Sequence, residues 1–194
     1  MKKRYGLFVL ILMATQLQAQ HEKKSTGSGN YFTTQVFAGL LEGENGSSFQ
    51  VQTINGIKHK SWFAGLGTGL DYYLYRSVPL FISVNKSFKP GTNSFFIQGD
   101  GGLNFAWIEK EINRFNDVIS DKFSPHLYWN GAIGFASGKK NALMVSLGYS
   151  YKRLEEIKER AMFCTNPPCS PMVENYNYRL RRVSLRVGWQ FSAY

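Results

Sequence analysis

The chain has 194 residues, of which 19 are glycine, 15% aromatic and only 19% charged. That length accommodates one domain, and the composition is neither that of a disordered chain nor that of a helical membrane bundle. Its formal net charge of +10 is spread along the chain rather than gathered on one segment, so nucleic acid is not an expected partner.

The N-terminus reads as an export signal over residues 1–19. Lys2, Lys3 and Arg4 precede a short apolar stretch from Leu7 to Ala14, and Ala19 supplies a small residue at the cleavage position. No cysteine follows that point directly, so no lipid anchor is expected there. Residues 20–30 are a polar linker, and residues 31–194 form the folded domain. Within it no run reaches the roughly 18 apolar residues of a membrane-spanning helix.

Eight segments of about ten residues follow, each with period-2 alternation, which predicts strands over 31–41, 47–57, 62–75, 78–89, 94–110, 123–137, 142–154 and 178–191. In the third, Trp62, Ala64, Leu66, Thr68 and Leu70 share one face and Phe63, Gly65, Gly67, Gly69 and Asp71 the other. In the fourth, Val78, Leu80, Ile82 and Val84 oppose Ser83, Asn85 and Ser87. In the seventh, Leu143, Val145, Leu147, Tyr149 and Tyr151 oppose Met144, Ser146, Gly148 and Ser150. In the eighth, Val183, Leu185, Val187, Trp189 and Phe191 oppose Arg182, Ser184, Arg186, Gly188 and Gln190.

One apolar face per strand also suits a soluble sandwich. The second face decides between them, because it is built of glycine, alanine, serine and asparagine where a water-exposed sheet would carry many charges. Small residues there suit the narrow lumen of an eight-stranded barrel, with the large apolar side chains turned out into lipid. The expected fold is therefore all-β: an eight-stranded antiparallel up-and-down transmembrane β-barrel. With both termini on the periplasmic side, outward aromatics fall at two levels. Tyr72, Trp107, Tyr149 and Tyr151 lie near the outer rim, and Phe32, Trp62, Phe88, Phe95, Trp189 and Phe191 near the inner one, as interfacial girdles require. The inner connections are short and rich in turn residues, whereas 111–122 and 155–177 read as long external loops; the first two external connections are short.

The export signal, the eight alternating segments and the terminal strand Arg182-Val-Ser-Leu-Arg-Val-Gly-Trp-Gln-Phe191 resemble the small bacterial outer-membrane β-barrel proteins of the OmpA and OmpX type. Val51-Gln-Thr-Ile-Asn-Gly56, Gly65-Leu-Gly-Thr-Gly-Leu-Asp-Tyr-Tyr73 and Ser77-Val-Pro-Leu-Phe-Ile82 are similar to porin-like barrels of unassigned function. The resemblance implies residence in the bacterial outer membrane and insertion by its assembly machinery, which reads a terminal aromatic, here Phe191 or Tyr194.

Residues that carry chemistry are few. His21, His59 and His126 lack ligand spacing, so no metal is expected, and no nucleophile, phosphate-loop or dinucleotide pattern indicates a catalytic residue or cofactor. Ser124-Pro125-His126 reverses the His-x-Ser order of outer-membrane lipid A deacylases, and a histidine making structural hydrogen bonds is the expectation. Cys164 and Cys169 bracket four residues of an external loop and read as a disulfide, with free thiols or a metal clip as alternatives. Asp71, Asp100, Arg182 and Arg186 share luminal parity and are expected to join one polar network. Ile112, Phe115 and Ile119 recur at helical spacing in an external loop and would form a short amphipathic turn, with a charged, irregular loop as the alternative. Arg153, Arg179 and Arg181 have lipid-facing parity at the outer rim, above Tyr149 and Tyr151, where lipopolysaccharide phosphates are one expected contact and snorkelling, or pairing with Glu155 and Glu156, is the alternative.

The expected role is structural or surface-interacting, not enzymatic, with membrane lipids as partners. A lipid-modifying enzyme of the same membrane and a soluble periplasmic ligand-binding barrel are the alternatives; a wide diffusion pore conflicts with eight strands.

Overall fold

A computed structural model describes residues 30–88, 92–107, 118–138, 141–160 and 172–193. Nine strand segments occur in chain order: β1 (Tyr31–Gly43), β2 (Gly46–His59), β3 (Trp62–Asp71), β4 (Ser77–Phe88), β5 (Asn93–Ala106), β6 (Val118–Ser124), β7 (His126–Ser137), β8 (Ala142–Arg160) and β9 (Met172–Ser192). Successive strands pair antiparallel except around β6, where β5 pairs with β7 and β6 with β8, and β9 pairs with β1, closing the sheet. β6 and β7 both lie against β8 and are two lengths of one barrel strand, so the closed ring has eight members.

The break between them is at Pro125. Continuing the Tyr128↔Lys152 register would set Ser124 opposite Glu156, yet it pairs with Glu155. One extra residue therefore sits on the β6–β7 side. Proline, which cannot donate to a ladder, is accommodated at such a bulge.

The register also measures the barrel. A rung leaving β1 at Thr33 passes through Gly56, Gly65, Ser83, Asp100, Asn130, Ser150 and Arg182, and returns to β1 at Gly43, ten residues further on. Eight strands with that stagger make a steeply tilted barrel whose interior only side chains can fill.

Burial is inverted relative to a soluble protein. Among the described residues, 20 polar or charged side chains are buried against 13 apolar ones, while leucine, isoleucine, valine and aromatic side chains cover the outside. Water cannot be the solvent of that surface, which removes the soluble ligand-binding alternative. Inside, Phe37, Phe81 and Phe96 face Gly188, Gly67 and Gly134 directly across the ladder. Each ring occupies the space that a side chain on its partner glycine would need, which accounts for these glycines in strand interiors.

The two rims differ. At the end holding both termini of the barrel the connections are tight, and Gly138 adopts φ 133°, a conformation open to glycine. At the other end β1 and β2 turn at Glu44 and Asn45, but β8 and β9 run to 19 and 21 residues, about twice what a tilted strand needs to cross a bilayer. Their outer ends continue pairing from Leu154↔Tyr178 to Arg160↔Met172, and β6 extends this wall to three strands. Two expectations are thereby corrected. Residues 118–122 and the flanks of 155–177 are strand, not loop. Water on both faces of this wall permits charges on both parities, which erases the alternation that would have revealed it. The strand expected over 62–75 ends at Asp71, and residues 72–76 form the connection to β4.

Candidate functional site: the lumen and the outer rim

Side chains fill the lumen in layers. At the inner mouth lie Gln35, Lys58, Asn85, Ser87 and Gln190, around a cavity of about 240 Å³. Above them Phe37, Ile54, Phe63, Phe81, Phe96, Tyr128 and Met144 pack as one apolar cluster. Nearer the outer end Leu41, Tyr73, Leu154 and Leu180 form a second, with Tyr75, Ala106 and Tyr178 against it.

The fully buried charged residues among those described are each paired. The Asp100 carboxylate accepts hydrogen bonds from Arg186 (3.1 Å), Asn130 (2.8 Å) and Gln98 (2.9 Å). Arg186 also donates to Gln52 (3.0 Å), which donates in turn to the Tyr128 hydroxyl (2.9 Å). Higher up, Asp71 receives Arg182, whose second nitrogen reaches Ser150 at 2.8 Å. Lys152 lies 3.2 Å from the same Asp71 oxygen and donates to Ser77 and to the Tyr73 carbonyl, both at 3.0 Å. Buried charges are tolerable only with such partners.

These are two clusters and not the single network expected from parity. Among the described residues no hydrogen bond joins them. Arg182 and Arg186 are four residues apart on β9, about 13 Å along the strand, so each reaches only the carboxylate at its own height. Lys152 was not among the residues singled out from sequence. It continues the face of Met144, Ser146, Gly148 and Ser150, and extending that parity by one step would have found it.

Outside, Trp62, Trp189 and Phe191 lie on the inner half of the lipid face, and Tyr72, Trp107, Tyr149 and Tyr151 on the outer half. Trp129 belongs to the outer group, opposite Tyr151 and stacked on it with ring centroids 6.2 Å apart. At the outer rim Arg153 pairs in register with Arg179, and Tyr151 with Arg181, which brings three outward guanidinium groups together on the β8–β9 ladder. Arg153 donates to the Asn177 side chain (3.1 Å). Among the described residues Arg179 and Arg181 make no ion pair.

His126 sits beside this cluster, Nε2 at 2.8 Å from Glu155. Hydrogen bonds from Asn175 and His126 hold the Glu155 carboxyl below the usual glutamate range. A depressed carboxyl stabilises the fold fully above its unfolded pKa and loses that contribution as pH falls through the lowered folded value. The amide protection factors at the outer ends of β8 and β9, that is, exchange rates corrected for their intrinsic pH dependence, are expected to be lower in acid than at neutral pH, and Glu155→Gln to flatten that dependence. Equal pH profiles for the two proteins would count against it.

Cys164, Cys169, the export signal and Ile112 and Phe115 lie outside the described residues, and for Ile119 only the backbone is described.

A closed eight-stranded antiparallel barrel with a polar interior, an apolar exterior and aromatic rings towards both rims is an outer-membrane β-barrel. The solved structures it resembles are of that class. It matches the crystal structure of Neisserial surface protein A with TM-score 0.54 and 14% identity, over 84% of this chain and 97% of that one. It matches the outer membrane protein OprG from Pseudomonas aeruginosa with TM-score 0.54 and 11% identity, over 85% and 96%. No family model matches the sequence, and no curated protein does.

Proposed function

We propose that this barrel conducts nothing through its lumen, is not an enzyme, and acts at its outer face, where Arg153, Arg179 and Arg181 hold lipopolysaccharide by its phosphates. The observation that carries this reading is the arginine cluster itself. Three arginines share a small patch of the outward face, Arg181 opposite Tyr151 and the Arg153–Arg179 pair directly above them. Cations are costly at mid-membrane, but at the headgroup level that cost falls away and phosphate oxygens offer bidentate acceptors. The raised wall of β6, β8 and β9 stands over the patch and would brace the sugar portion of the same lipid.

Changing all three arginines to glutamine is expected to lower the lipopolysaccharide retained through purification more than about tenfold, taking each cation near a membrane surface as worth about 1 kcal/mol. The fold should survive, read as an unchanged mobility difference between heated and unheated samples on a gel. Equal retention in the triple variant would remove the proposal.

A second reading has one specific observation in its favour. Ser124 pairs with Glu155, which is bonded to His126, so a serine, a histidine and an acid meet at the outer rim as a lipid deacylase would need. Against it, among the described residues no hydrogen bond runs from Ser124 to His126, so the serine has no base to take its proton. Lipid A mass spectra from cells expressing wild type or Ser124→Ala separate the two readings: a wild-type-dependent loss of one acyl chain would favour the enzyme.

A further inference from the structure

Below the midplane the lipid face is not smooth. Phe88, Phe95, Ile97, Ile133, Phe135, Val145 and Leu147 line an outward-facing groove of about 500 Å³, within the size range of small-molecule sites. Its lower half lies at the level of the inner aromatic girdle. Its upper end continues into bare backbone, where Gly99 pairs with Gly131 and a side chain at Gly99, Gly101 or Gly131 would meet no atom within 4 Å. The depression therefore runs along β5 and β7 from the inner rim towards mid-membrane, the course of one acyl chain.

A cation stands at the lower edge. Lys86 is opposite Ile97 on one side and Trp62 on the other, with its ammonium 4.9 Å from the Trp62 ring centre and 5.5 Å from that of Phe88. Both rings attract it, and together they hold the charge at the interfacial level beside the groove. Among the described residues no carboxylate pairs with it. The outward faces of β4, β5 and β7 carry no acid at all, so a second copy meeting this surface through the same strands would bring no anion to Lys86.

We propose that the groove and Lys86 form a binding site for one glycerophospholipid of the periplasmic leaflet, with an acyl chain along β5 and β7 and the phosphate on the Lys86 ammonium. The site lies on the opposite side of the bilayer from the arginine cluster and does not depend on that reading. Phosphate is the anion available at this level, and a lysine near the membrane surface attracts anionic lipid. The flanking tryptophan and phenylalanines fix the headgroup depth, as amphipathic and aromatic rings do at an interface.

The test uses protein refolded into dodecyl maltoside, free of native lipid, and titrated with palmitoyl-oleoyl-phosphatidylglycerol while adducts are counted by native mass spectrometry. Wild type is expected to carry one lipid. Lys86→Gln should weaken that adduct about fivefold, the worth of one interfacial cation, and Val145→Trp, which fills the groove, should abolish it. Lys122→Gln, at the solvent-facing outer wall, should leave it unchanged. Diacylglycerol with the same chains should bind wild type as weakly as the phospholipid binds Lys86→Gln. Unaltered binding by Lys86→Gln would overturn the phosphate contact even if the tryptophan variant failed to refold. Dimers that form without lipid and are broken by Val145→Trp would overturn the whole assignment in favour of a second copy.

Discussion

Replacing Asp71 with asparagine is expected to destabilise the barrel more than any other single substitution in the lumen, by roughly 3–5 kcal/mol. Among the described residues Asp71 is the only carboxylate within reach of both Arg182 and Lys152, whose side chains are completely enclosed. Without its charge two cations would face each other in an interior that leaves them little solvent, and repulsion would add to the lost pairing. Ser77, Ser150 and the Tyr73 carbonyl would still accept hydrogen bonds from them, but dipoles do not neutralise net charge. Adding Lys152→Met should recover part of the loss, because one of the stranded cations is then gone. The measurement is the urea midpoint of unfolding from lipid vesicles for wild type, single and double variants. A midpoint for Asp71→Asn equal to wild type would refute the pairing.

The residues behind that prediction show what sequence reading can and cannot reach. Asp71 and Arg182 were assignable to the lumen because parity is local: within a strand, position alone tells inside from outside. Which acid meets which base is a property of register, and register is long-range. Asp71 and Arg182 are 111 residues apart and touch only because the rung through Ser150 and Arg182 closes on β1 ten residues above its start. The same limit hid the phenylalanine rings that lie over glycines. Phe96 and Gly134 each look ordinary in their own strand, and the fit exists only once β5 and β7 are aligned.

Membrane depth set a different limit. Between the girdles, lipid demands apolar residues outside and the narrow lumen demands small or paired ones inside, so strands announce themselves. Above the outer girdle water lies on both sides, and Glu155, Glu156, Lys158 and Glu159 follow one another in a strand with no apolar face. Here pairing continues because the ladder of β8 and β9 is already aligned below. Glu156 is nonetheless buried, held by Lys158 at 2.9 Å and by the Tyr178 hydroxyl at 3.1 Å, an arrangement that alternation cannot signal. The groove beside Lys86 was missed for a related reason, since outward glycines and isoleucines carry no chemical signature until their neighbours are known.

Asp100 provides the second large effect and the sharpest check on the closed lumen. Asp100→Ala should cost about 3 kcal/mol or more, since it leaves Arg186 enclosed with only Gln52 and Ser146 as neutral acceptors. Arg186→Met alone should cost less, because the remaining carboxylate keeps hydrogen bonds from Asn130 and Gln98. The double variant is the informative one. If the pair exists to fill space with mutual compensation, Asp100→Ala with Arg186→Met should be more stable than Asp100→Ala, since an apolar pair of similar bulk is often neutral where a lone charge is not. It should also remain non-conducting in planar bilayers, because the apolar cluster of Phe37, Phe63, Phe81 and Phe96 still crosses the lumen below. Discrete conductance steps in wild type would defeat the closed-lumen reading outright. Steps seen only in the double variant would make the charged pair itself the barrier.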